Sequence, residues 1–190
     1  GKALVTGLCS KLFKTGSGDN AANYEDLSGL EYWYFKDVTK FWEMFSSCTK
    51  LTKVGISGIL SSLSDISSMF LDCTSLKEVK IDGGEGFGSS ITSMASLFKN
   101  CSSLEEIEFT GDFSNVTDIS YMFSKCPSLI KVNLSSFNTS NVTNMSEMFY
   151  NCKELVSIKF SSFNTPNVIH MENMFSCCIS LKELDLSNFD

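Results

Sequence analysis

Eight cysteines and a single histidine are the residues of this 190-residue chain best suited to chemistry. A zinc site would call for thiolates in Cys-x-x-Cys spacing or clustered imidazoles. No Cys-x-x-Cys occurs, and one histidine, His170, excludes a histidine-rich metal site. Nucleophilic catalysis needs a base beside its nucleophile. Serines are plentiful, but His170 stands where equivalent segments carry Asp118 or Asn144, so it reads as an exposed polar residue. The run Asp82-Gly83-Gly84-Glu85-Gly86-Phe87-Gly88 puts Gly88 where a calcium β-roll requires aspartate, and it lacks the third glycine of a dinucleotide loop. It reads as a flexible insertion, with weak cation binding by Asp82 and Glu85 as the lesser alternative. No catalytic centre, metal or cofactor is expected.

Charge narrows the classes further. Net charge is −7, and all 15 basic residues are lysine. Without arginine the chain lacks the usual bidentate donor to guanine and phosphate, so nucleic acid is not an expected partner. No apolar run approaches the roughly 18–20 residues of a membrane span, and the start of the chain has no signal-peptide pattern.

The cysteines belong to a repeat. Met-Phe-x-x-Cys-x-x-Leu stands at Met44 to Leu51 and at Met69 to Leu76, and recurs around Phe98, Phe123, Phe149 and Phe175, with steps of 25, 28, 25, 26 and 26 residues. Each copy has two halves. In the fifth, Val142, Met145, Met148, Phe149 and Cys152 are spaced by threes and fours, the pattern of one face of a short helix, with Thr143 placed as an N-cap. Beyond the cysteine, Leu155, Ile158 and Phe160 follow the Leu-x-x-Leu-x-Leu pattern of a leucine-rich repeat strand. A unit of this size cannot bury its own apolar face, so copies must stack.

The expected fold is therefore an α/β leucine-rich repeat solenoid, with a curved parallel sheet on the concave face and short helices on the convex face. Strands at about 4.8 Å and helices at about 8–10 Å would set the curvature. Residues 38–190 are assigned six repeats of about 26 residues and a truncated one. Residues 1–37 are assigned as an N-terminal cap or degenerate repeat. Tyr32-Trp33-Tyr34-Phe35 and Trp42 are expected to cover the first repeat's core.

The motif Leu-x-x-Leu-x-Leu-Ser-x-Phe-[Asn/Asp]-Thr-[Ser/Pro]-Asn-Val-Thr-x-Met-x-x-Met-Phe-x-x-Cys resembles that of the BspA-type leucine-rich repeat surface proteins. The match is almost position for position over residues 129–190 and weaker over residues 38–128. The resemblance implies an extracellular protein of adhesion or binding, with a protein or cell-surface ligand as partner and no catalytic residues in the repeats. A structural spacer, self-associating through the solenoid ends, is the alternative.

In an extracellular chain, eight cysteines invite disulfides. Six of them hold one repeat position, where a helix diameter between copies exceeds the roughly 7 Å limit for bridging. A buried column of free thiols is expected, with Cys9 and Cys177 outside it and Cys177 exposed. Asn100, Asn115, Asn133, Asn138, Asn141 and Asn144 open Asn-x-Ser/Thr sequons, read here as turn vocabulary rather than glycosylation sites. The expected ligand-binding surface is the outward side of the strands: Lys53, Glu78, Lys80, Glu106, Glu108, Lys131, Asn133, Ser157, Lys159, Glu183 and Asp185. Lys80 with Glu108, and Lys159 with Asp185, are expected to pair across strands.

Overall fold

A computed structural model describes residues 4–5, 26–27, 34–82, 84–109, 111–135, 137–160, 164–187 and 189. Cys9, Tyr32 and Trp33 lie outside them, as does most of the segment assigned as a cap. The strands are β1 (Leu4–Val5), β2 (Asp26–Leu27), β3 (Tyr34–Lys36), β4 (Lys53–Ile59), β5 (Glu78–Asp82), β6 (Glu106–Glu108), β7 (Lys131–Asn133) and β8 (Ser157–Lys159). Every pairing between them is parallel. Consecutive repeats pair in register: Lys53 faces Glu78, and Glu106 faces Lys131, which faces Ser157. This is the stacked solenoid that the repeat requires.

The strand face is divided. β1 to β5 form one sheet and β6 to β8 another, and among the described residues no ladder joins β5 to β6. The division falls at the 28-residue step that carries the glycine insertion. The insertion is anchored rather than loose. Phe87 is buried and meets Phe113 edge to face at 5.8 Å. The Asp112 amide donates to the Phe87 carbonyl at 3.0 Å. Gly88 has φ 91°, and a Cβ there would lie 2.5 Å from the Asp112 carbonyl oxygen, so only glycine fits.

The opposite side corrects the expected helices: among the described residues there is none. Phe41–Cys48 instead makes two successive four-residue turns, closed by Met44 N–H to Phe41 C=O at 3.0 Å and Cys48 N–H to Phe45 C=O at 3.1 Å. The third residue of each turn, Glu43 and Ser47, has φ 52° and 64°, the mark of a type II turn. The same left-handed pair recurs at Ser68 and Asp72, Ser96 and Asn100, Tyr121 and Lys125, Glu147 and Asn151, and Asn173 and Cys177. Alternate amides then reach the next copy. Phe41, Glu43, Phe45 and Ser47 donate to the carbonyls of Asp65, Ser67, Met69 and Leu71 at 2.9, 3.1, 2.9 and 2.7 Å. The amides between them, Met44, Ser46 and Cys48, bond locally within the turns, so the ribbon divides its hydrogen bonds between its own turns and the neighbouring copy.

This ribbon has a consequence for shape. The phenylalanines Phe45, Phe70, Phe98, Phe123, Phe149 and Phe175 stack in one column, with successive ring centroids 5.4, 5.3, 5.7, 5.4 and 5.8 Å apart. The two sides of the stack thus repeat at nearly the same spacing. The mismatch that predicted curvature is largely removed, because hydrogen-bonded turns sit closer than helices can. Two further ladders tie the edges. Ser64, Thr92, Thr117 and Thr143 each donate their hydroxyl to the carbonyl of the preceding copy's equivalent residue. Asp65, Ser93, Asp118, Asn144 and His170 form a column of single parallel bridges, and the side chains of Asp65, Ser93, Asp118 and Asn144 accept the amide two residues on.

Candidate functional site

The outward positions of the strands alternate with buried ones, as Glu106, Ile107 and Glu108 do on β6. Pleating therefore delivers charged side chains to one surface from a fixed backbone. There they line a groove of about 350 Å³ running from β5 to β8. Seven of the expected residues meet in it: Glu78, Glu106, Glu108, Lys131, Asn133, Ser157 and Lys159. Lys53 lies beyond it on β4, paired with Glu78 at 3.2 Å. Lys80 is exposed outside its lining. Glu183 and Asp185 are exposed but stand in a stretch that forms no strand, so the expected last strand is absent. Asp185 instead accepts the Ser187 amide at 2.9 Å, and the Ser187 hydroxyl and amide hold its carboxyl below the usual range.

Lys77 also lines the groove and was not anticipated. It precedes β5, outside the every-second-residue pattern from which outward positions were read. The charge pairs are likewise different from those expected. Lys131 meets Glu106 at 3.8 Å, and the Asn133 amide donates to Glu108 at 3.0 Å. Register explains the difference. Lys80 faces Gly55 on one side and the unpaired β5–β6 boundary on the other, so it does not reach Glu108. Lys159 lies beside Asn133, and among the described residues no strand follows β8 to bring Asp185 alongside.

The cysteines form the expected buried column, for a different reason from the one expected. Copies stacked at hydrogen-bond spacing place equivalent residues about 5 Å apart, well within bridging distance. Orientation keeps them apart. Cys73, Cys101, Cys126, Cys152 and Cys178 each donate S–H to the phenylalanine carbonyl of the preceding copy, at 3.1, 3.1, 3.0, 3.1 and 3.0 Å. All described cysteines are free thiols. Burial pushes Cys48 up to about 11 and Cys126 up to about 12, and raises Cys73, Cys101, Cys152 and Cys178 as well. A thiol held neutral is neither nucleophile nor metal ligand. Cys177 is exposed, at a left-handed turn position.

The remaining candidates are structural. His170 Nδ1 lies 3.2 Å from Glu172 Oε1, both side chains exposed. Asn115 and Asn141 donate their amide nitrogens to the Ser89 and Ser114 carbonyls at 2.7 and 2.8 Å, and Asn100 donates to Asp72. Those nitrogens, where a glycan would attach, already tie one loop to the preceding one. Trp42 is 38% exposed on the ribbon rather than covering the core; Phe35 and Phe41, both buried, pack edge to face at 5.1 Å in its stead. The arrangement as a whole can hold a ligand on a rigid, mixed-charge surface.

Residues 12–83 and 64–189 match the family described as "Mycoplasma protein of unknown function, DUF285". No match is found among curated proteins. Among solved structures, the leucine-rich repeat protein of T. pallidum is 18% identical, with a TM-score of 0.50 over 91% of this chain and 89% of that one. A leucine-rich cell surface protein of Faecalibacterium prausnitzii A2-165 is 25% identical, with a TM-score of 0.48 over 65% of this chain. The match covers 30% of that longer protein. The T. pallidum structure matches the solenoid fold of this chain.

Proposed function

The chain belongs to this BspA-like family of leucine-rich repeats, and we propose that it is a non-enzymatic binding protein of the cell surface whose strand face contacts a protein ligand. The single observation that carries this reading is the groove of about 350 Å³ lined by charged side chains from four successive strands. A ladder-bonded backbone presents these side chains at little further entropic cost, which loops of the same composition would incur on binding. The buried thiols of Cys48, Cys73, Cys101, Cys126 and Cys152 are held neutral, and neither they nor the exposed Cys177 and His170 lie in the groove.

Reversing Glu106, Glu108, Lys131 and Lys159 together tests the proposal. All four are exposed, so stability should change by less than about 0.5 kcal/mol per site. Attachment to cells or matrix should fall, and the parent's attachment should weaken with salt, because exposed charges are screened over about 8–10 Å. A folded variant that attaches as well as the parent would sink the proposal. The second reading is a spacer or self-assembling subunit joined through the solenoid ends. It is supported by Ile169 and Ile179, which are 74% and 79% exposed on and beside the last ribbon. Sedimentation of the isolated chain as filaments would favour it over a discrete binding protein.

A further inference from the structure

The strand face carries one feature that a uniform solenoid would not have, the unpaired boundary between β5 and β6. Beneath it lies a cavity of about 40 Å³. Its walls are Val79 and Ile81 from β5, Ile107 from β6 with Phe109 just beyond that strand, and Phe87 from the glycine insertion. This is room for a few carbon atoms, and the lining is apolar apart from Glu108. The cavity adjoins the charged groove, since Val79, Ile107 and Glu108 line both.

The groove's charges are unevenly spent. Glu78 and Glu106 are paired with Lys53 and Lys131, while Glu108, between the two ends, accepts from the neutral Asn133 amide and keeps its charge. Lys77 and Lys159 have no carboxylate partner among the described residues. They mark the two ends of the groove, one beside the seam and the other on β8, so the charge left for a ligand is positive at both ends. The lining contains no aromatic side chain on which a sugar ring would stack.

We infer that the seam between β5 and β6 is an anchor pocket for one aliphatic side chain of an extended, acidic peptide segment that lies across the strands. The inference rests on the reading of the strand face as the binding surface. In an extended chain, side chains of one parity share a face and are separated by about 6.6 Å per two residues. With an aliphatic residue in the seam, a carboxylate two positions before it meets Lys77. A carboxylate four positions after it, about 13 Å on, lies over β8 within reach of Lys159. Phe87 is the insertion's contribution: the extra residues that break the ladder also supply a wall of the pocket.

The probe is an acetylated, amidated heptapeptide, Glu-Ser-Leu-Ser-Ser-Ser-Glu, titrated to millimolar concentration against protein carrying ¹³C-methyl labels. The methyl resonances of Val79, Ile81 and Ile107 should shift and saturate, while those of Val116 and Val142, buried away from the groove, should stay still. Replacing the peptide leucine by serine, or both glutamates by lysine, should weaken binding roughly tenfold or more. On the protein, Val79→Phe should fill the seam and abolish the shifts. Should that variant fail to fold, Lys159→Glu, on an exposed side chain, should weaken binding several-fold and leave the fold intact. Equal binding of all three peptides, or no saturable shift at the seam methyls, overturns the inference. Attachment lost in the fourfold charge variant, with no peptide bound at the seam, would leave the strand-face proposal standing and remove this one alone.

Discussion

Phe123 is the residue on which the stack can be tested most directly. It is fully buried and stacks on Phe98 at 5.7 Å and on Phe149 at 5.4 Å, so its removal opens a gap in the column and strips each of those rings of one face contact. Phe123→Ala should cost about 3–5 kcal/mol in urea melts, the range for deleting a packed aromatic side chain. A loss below about 1 kcal/mol would deny the column its structural role. The thiols make a second test. In the folded protein a thiol reagent should label the exposed Cys177 at once, and Cys73, Cys101, Cys126 and Cys152 only after denaturation. Their protonation also couples folding to pH. A thiol in the unfolded chain ionises near its ordinary value of 9.0, whereas burial raises Cys48 to about 11 and Cys126 to about 12. Above pH 9 the unfolded chain therefore releases protons that the folded chain keeps. The stabilisation is complete below that pH and is lost as pH climbs towards the folded values, at about 1.4 kcal/mol per unit for each thiol. Urea midpoints measured at about pH 8 and about pH 10 should fall less steeply for Cys126→Ala than for the parent. Identical slopes would contradict a neutral buried thiol.

At the scale of the element, the ribbon of turns makes a prediction opposite to that of a helix. Lys125 is exposed and holds φ 60° in the second turn of its copy. A β-branched residue pays the steric cost of the left-handed region, so Lys125→Val should destabilise by about 1–2 kcal/mol. Lys125→Gly removes that cost and should fall within about 0.5 kcal/mol of the parent or above it. In a helix the order would reverse, with glycine the worse of the two. Thermal melts of both variants decide between the two. The seam belongs to the same scale: two extra residues in one step are enough to interrupt a ladder that is otherwise continuous from β4 to β5 and from β6 to β8.

The whole molecule is held by contacts between neighbouring copies, so its stability should behave as a chain of nearest-neighbour terms. Hydrogen exchange reports this directly. The amides of Ser96, Phe98 and Asn100 donate to the following copy at 2.8, 2.8 and 2.9 Å. Those of Asn173, Phe175 and Cys177, at equivalent positions of the last ribbon, have no acceptor among the described residues. Exchange should be slow in the central copies and fast in the last, with the intervening amides of Met174 and Ser176 less affected because their turn bonds are local. Uniform protection along the stack would mean that it opens as a single unit.

How much of this was legible in the residues follows from the range of the forces involved. The recurrence of Met-Phe-x-x-Cys-x-x-Leu determined the stack, the parallel strands and the buried columns, because one copy's apolar face has only its neighbours to pack against. The strand pattern likewise determined which side chains point outward, because strand pleating has a period of two. The turn ribbon could not be read in the same way. Phe41, Met44, Phe45 and Cys48 fall inward both in a helix and in two successive four-residue turns, so their spacing is the same for either. The choice is made by carbonyls such as Asp65 and Met69, 24 residues along the chain, which accept the amides that a helix would have used. A helix about 10 Å wide would have spread the copies apart on that side, whereas the bonded turns keep them close. Lys80 and Glu108 show the same limit on the other face. Their repeat positions make them neighbours, but the 28-residue step opens the seam between their strands. The sequence alone determined what repeats and which way it faces; only the tertiary structure decided what holds neighbouring copies together and where that hold is broken, since both depend on backbone groups that every residue carries alike.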